Sequence, residues 1–125
     1  MLMFVYGTLK SGHGNNHYMR GCRLVGPAVS TEAAYSMNGR GFPFLYQGSQ
    51  HVFGEVWEVT DEALPAIDRL EGHPEWYRRE ERTFIVDGRK EVKTVTAWVY
   101  MQEGECEGGY KGRTVYWPQL VGGQS

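Results

Sequence analysis

Only one stretch of this chain carries a clear helical period. In TDEALPAIDRLEG, positions 60–72, the apolar residues Ala63, Leu64, Ile67 and Leu70 fall on one stripe of a helix. Thr60 or Asp61 can cap its start, and acidic residues occupy its first turn, where the helix dipole favours them. Pro65 lies near that first turn, where a missing N–H costs least. Gly72 suits a left-handed cap, and Pro74 prevents the helix from resuming.

The other apolar runs read as strands. Residues 2–6 form the first, and HYMRGCRLVG after it opens with a short helical turn. Residues 22–37 look extended, punctuated by Gly26 and Pro27, and GFPFLYQG reads as a loop rich in aromatics. HVFGEVWEV, 51–59, is apolar on both faces, as expected of a strand in a closed or covered sheet. YRREERTFIV and EVKTVTAWVYM follow, joined by the hairpin signal Asp87-Gly88. In the latter, Val95, Ala97, Val99 and Met101 face one way, and Thr94, Thr96, Trp98 and Tyr100 the other. From Gly104 the tail is glycine-rich and weakly patterned, either a flap or simply loose. One helix among five or six strands predicts an α+β fold. A small, mixed, barrel-like sheet with the helix at one end would close the edges.

With 125 residues the chain suits a single domain, 1–125. Its formal charge of −2 gives no basic surface for nucleic acid, and no apolar run approaches the ~18 residues of a membrane span. The opening MLMFVYG lacks the features of a signal peptide. Cys22 and Cys106 show neither metal spacing nor a disulfide framework and read as free thiols, which suits a reducing, cytoplasmic setting.

Two features carry candidate chemistry. In VYGTLKSGHGN, a strand ends abruptly at Gly7, and glycines recur at 12 and 14. Consecutive backbone N–H groups in such a turn form a concave nest for an anion, and Thr8 adds a hydroxyl donor. An ordinary strand-to-loop turn is the plainer alternative. Glu71 stands at the last position of the helix. The helix C-terminus and burial would both push its carboxyl toward a pKa useful for proton transfer near neutrality. Asp68 can share that face, and His73 adjoins it; both acids read equally as solvated surface groups. His13 and His17 have the spacing of metal ligands, but the intervening glycine and the lack of a nearby acidic ligand argue against a metal site. GGYKGRT lacks the ending of a phosphate loop, and there is no GxSxG motif.

Taken in order, these segments resemble the γ-glutamylcyclotransferase-like family, which includes the AIG2-like group and γ-glutamylamine cyclotransferase. VYGTLKSGHGN looks like the family's first-strand motif, GFPFLYQG its Pro-containing pocket loop, and VFGEVWEVTDEALPAIDRLEGHPEWYRR its strand, helix and acidic signature. The resemblance covers most of residues 3–101, and the tail from 104 matches less well. It implies that Tyr6, Gly7, Thr8 and Leu9 bind substrate and that Glu71 is the general acid/base. The implied reaction cyclises a γ-glutamyl amide or amine to 5-oxoproline and releases the free amine. Neither cofactor nor metal is implied, and the expected partner is a small γ-glutamyl substrate. Pro43, with Phe42 and Phe44, would shape one wall. Tyr77 and Tyr100 either line the pocket or are core aromatics with satisfied hydroxyls, and Arg78 either meets a substrate anion or is solvated. Two alternatives stand beside this reading: a non-catalytic binding module using the same pocket, and an enzyme of the same fold acting on another γ-glutamyl carrier.

Overall fold

The structure is a computed structural model that describes residues 1–7, 9–38, 44–73, 77–102 and 114–116. Five strands close into a mixed barrel: β1 (Leu2–Val5), β7 (Val92–Met101), β6 (Arg78–Asp87), β2 (Arg23–Ser30) and β5 (His51–Glu58), with β5 returning to β1. The β1–β7 pair is parallel, and the other four pairings of the ring are antiparallel. β1 runs along β5 only from Glu55 to Glu58. β8 (Thr114–Tyr116) pairs with the other half, His51–Phe53, so part of the tail forms a strand where the sequence shows little pattern. GFPFLYQG also departs from the loop reading. Its second half is β4 (Phe44–Gln47), which pairs with β3 (Tyr35–Asn38); residues 39–43 lie outside the described set.

Two apolar clusters lie on opposite sides of the sheet. The alternation of β1 sends Phe4 and Tyr6 inward, to Val52, Val56, Phe84, Ala97 and Val99. Phe4 and Phe84 stack there with ring centroids 4.1 Å apart. Met3 and Val5 point the other way, to Leu9, Met19, Trp57, Ile67, Tyr77 and Tyr100. β5 is therefore covered on its second face at Trp57, while Phe53 on that same face stays 40 % exposed. Gly54 is required by the closure, because a Cβ there would run into the Val5 carbonyl oxygen and the Phe4 ring.

The helix α1 (Leu64–Glu71) starts later than its sequence signal. Residues 61–63 form a turn first, with the Thr60 hydroxyl accepting the Ala63 N–H at 3.1 Å. Its end is as read: Gly72 adopts φ 70°, ψ 33°. The Gly72 and His73 N–H groups donate to the carbonyls of Arg69 and Asp68, closing a Schellman motif. α1 links β5 to β6, which both run antiparallel to β2 and hence parallel to each other. A helix making that crossover runs back against the strands. Its C-terminus therefore returns to the barrel end where β6 starts and where β1 and β7 finish.

Candidate active site

That topology gathers residues distant in sequence at one barrel mouth. Glu71 ends α1, Tyr77 precedes β6, Tyr6 follows β1 and Tyr100 sits near the end of β7. The Tyr6 hydroxyl donates to the Tyr100 carbonyl oxygen at 2.7 Å and shares a hydrogen bond with the Tyr77 hydroxyl. Glu71 is half-buried, and burial pushes its carboxyl up from an ordinary 4.5 to about 7. Among the described residues, burial alone accounts for that rise. Burial likewise raises the phenols of Tyr6, Tyr77 and Tyr100; the nearby Glu71 charge pushes each in the same direction. The three hydroxyls thus stay protonated around a carboxyl that titrates near neutrality.

Asp68, one turn before Glu71, is engaged rather than solvated. Its carboxylate takes Arg79 Nε at 2.8 Å and Nη2 at 3.2 Å, and accepts the Tyr100 hydroxyl. The Arg79 guanidinium lies 5.3 Å from the Trp98 ring centroid. The backbone N–H of Arg79 donates to His73 Nδ1 at 3.2 Å. The basic residue that matters to the helix end is therefore Arg79. Arg78 is exposed, because the alternation of β6 turns the two side chains to opposite sides. Arg79 carried no signal of its own in the sequence beyond its place on a strand.

In the loop after β1 the described side chains turn into the protein. Tyr6 and Leu9 are both buried, one in each apolar cluster. The Gly7 carbonyl accepts the Lys10 N–H at 3.1 Å, so the segment closes as a turn and that N–H is used within it. Asn16 Nδ2 donates to the Leu9 carbonyl at 2.8 Å. Thr8, Phe42 and Pro43 lie outside the described residues, as does the side chain of Phe44. His17, in a 3-10 turn at Asn16–Met19, has Nδ1 3.2 Å from the Gly14 carbonyl oxygen and its ring against Tyr18. No group of three or more His, Cys, Asp or Glu among the described residues is placed to hold a metal ion. Cys22 is a free thiol, and Cys106 lies outside the described set. No helix of the described residues is long and apolar enough to cross a membrane.

Comparisons with known proteins bear on this site. The family model described as gamma-glutamyl cyclotransferase, AIG2-like, matches residues 3–118. A Methanocaldococcus jannaschii protein bearing the gamma-glutamylcyclotransferase name is 36 % identical over 107 residues, 83 % of this chain and 86 % of that one. The gamma-L-glutamyl-butirosin B gamma-glutamyl cyclotransferase of Niallia circulans is 41 % identical over 69 residues, 55 % of this chain and 44 % of its own length. Among solved structures, a mouse AIG2-like protein superposes with a TM-score of 0.70 at 25 % identity, covering 94 % of this chain and 95 % of that one.

Proposed function

The chain belongs to the gamma-glutamyl cyclotransferase, AIG2-like family, and we propose that it cyclises a γ-glutamyl amide or amine to 5-oxoproline with Glu71 as general acid/base. The observation that carries this reading is the Glu71 carboxyl: helix-terminal, half-buried, and held at about 7. A carboxyl so poised is ready both to take and to return a proton near neutrality.

The chemistry follows from the substrate. The α-nitrogen of a γ-glutamyl group can attack its own side-chain carbonyl carbon. The reaction is intramolecular, so holding the folded conformer supplies much of the rate. The α-ammonium must first lose a proton, which Glu71 accepts. A carbon–nitrogen bond then forms to close the five-membered lactam. As the bond to the departing amine breaks, Glu71 gives that proton to the leaving nitrogen. The second proton, lost by the ring nitrogen as it becomes the lactam N–H, passes by the same carboxylate to the released amine, which departs as an ammonium. The backbone of residues 6–9 would grip the α-carboxylate through its N–H groups, with Thr8 adding a hydroxyl. Neighbouring N–H groups would also meet the oxyanion of the tetrahedral intermediate. Tyr77, Tyr100 and Pro43 would line the pocket. No step calls for a cofactor.

The test is a screen of γ-glutamyl amines, amides and dipeptides with 5-oxoproline as the readout. Release of 5-oxoproline from at least one of them is expected, with kcat/KM rising with pH through about 7 as Glu71 ionises in the free enzyme. Absence of 5-oxoproline from all of them, with binding of the same compounds retained, would turn the assignment toward a binding module.

A further inference from the structure

We infer that Glu55 is a positioning residue that fixes the backbone of the substrate-binding loop without touching substrate. The inference rests on the reading of residues 6–9 as the carboxylate grip.

Glu55 sits on β5 directly opposite Val5, the last residue of β1. The loop begins one residue later, so this carboxylate lies where the loop leaves the barrel. Its Oε1 accepts the Ser11 N–H at 2.9 Å and the indole Nε1–H of Trp57 at 3.0 Å. Trp57 is itself packed in the outer apolar cluster with Met3, Val5 and Leu9. The indole therefore aims the carboxylate, and the carboxylate holds the loop. Lys10, the residue before Ser11, is only 1 % exposed. Burial lowers the Lys10 ammonium, and the charge of Glu55 acts in the opposite direction to keep it protonated. A lysine so buried in a surface loop is costly to desolvate, and a carboxylate neighbour offsets part of that cost.

The result is a loop fixed from both sides. Upstream, the Tyr6 hydroxyl is tied to the Tyr100 carbonyl. Downstream, Ser11 N–H is tied to Glu55, and the Leu9 carbonyl is tied to Asn16. Between these anchors runs the Gly7–Lys10 turn, whose geometry sets where the N–H groups point. Backbone donors stabilise an anion only when held in place beforehand. Glu55 supplies that restraint from a strand 44 residues beyond Ser11.

The experiment compares wild type, Glu55→Ala and Glu55→Gln by amide hydrogen exchange, steady-state kinetics and thermal melts. Glutamine keeps an Oε1 acceptor for both N–H groups, and alanine keeps neither. Ser11 exchange is expected at least tenfold faster in Glu55→Ala, with amides of the β6–β7 hairpin unchanged and Glu55→Gln close to wild type. KM should rise at least tenfold in Glu55→Ala, with kcat within threefold and the acid limb of the pH profile unmoved. A fall in melting temperature alone, with Ser11 exchange and KM at wild-type values, overturns the inference. So does a Glu55→Gln variant as impaired in KM as Glu55→Ala. If wild type releases no 5-oxoproline from any γ-glutamyl compound, the functional reading falls. The exchange arm still decides the tether, which stands or falls on Ser11.

Discussion

Glu71→Gln keeps the shape of the side chain and removes its titration, and it should separate stability from activity. Burial holds the wild-type carboxyl at about 7 against an ordinary 4.5. A group whose folded pKa is raised contributes stability that is fully present below its unfolded pKa. That contribution is lost as pH rises through the folded pKa. For Glu71 the window therefore runs from about 4.5 to about 7. One pKa unit corresponds to about 1.4 kcal/mol, so the loss has a ceiling of about 3 kcal/mol above pH 7. The carboxyl is only half-buried, and solvent screening reduces this to roughly 1–2 kcal/mol. Glutamine carries no charge to desolvate. The variant should match wild type at pH 4 and exceed it by roughly 1–2 kcal/mol at pH 8, a gain of roughly 3–8 °C in Tm. Thermal melts from pH 4 to 9, with 5-oxoproline release measured on the same samples, read both properties. The expected result is a more stable protein at alkaline pH with turnover reduced by at least a thousandfold. A stability difference independent of pH would refute the burial argument. Turnover near the wild-type rate would refute the catalytic one.

Three further outcomes follow from the same geometry. Asp68→Asn removes the charge facing Arg79 and is expected to cost roughly 1–2 kcal/mol in denaturant melts while lowering kcat less than tenfold; a loss equal to that of Glu71→Gln would mean the two acids share the proton-transfer role. Gly54→Ala forces a Cβ into the Val5 carbonyl and the Phe4 ring, and should destabilise by roughly 3 kcal/mol or more; a wild-type melt would mean that β1 and β5 separate at little cost. EDTA should leave 5-oxoproline release unchanged, because internal attack with one proton carrier needs no Lewis acid; loss of activity restored by zinc or manganese would direct attention to His13 and His17.

Local pattern determined a good deal by itself. The helix at 64–71, its glycine stop at 72, and the pairing of 78–87 with 92–101 follow from neighbours a few residues apart in sequence, which is the range over which periodicity and turn chemistry act. The order of motifs also pointed to Glu71 and to the loop at 6–9. Those same local rules misread residues 44–47 and 114–116. Both become strands through partners elsewhere in the chain, and strand character depends on such partners more than on composition. What the tertiary structure alone decided is convergence. Glu71 shares a barrel mouth with Tyr6, Tyr77 and Tyr100 because α1, on its way from β5 to β6, packs across Met3 and Val5 of β1 and Tyr100 of β7, and because β1 runs parallel to β7. The raised carboxyl is a consequence of that enclosure, since desolvation needs walls from several elements at once. Asp68 meeting Arg79, and Glu55 meeting Ser11, depend on strand register across 11 and 44 residues. A register is set by the whole closed sheet, and a shift of one residue would turn Arg79 and Glu55 to the opposite face.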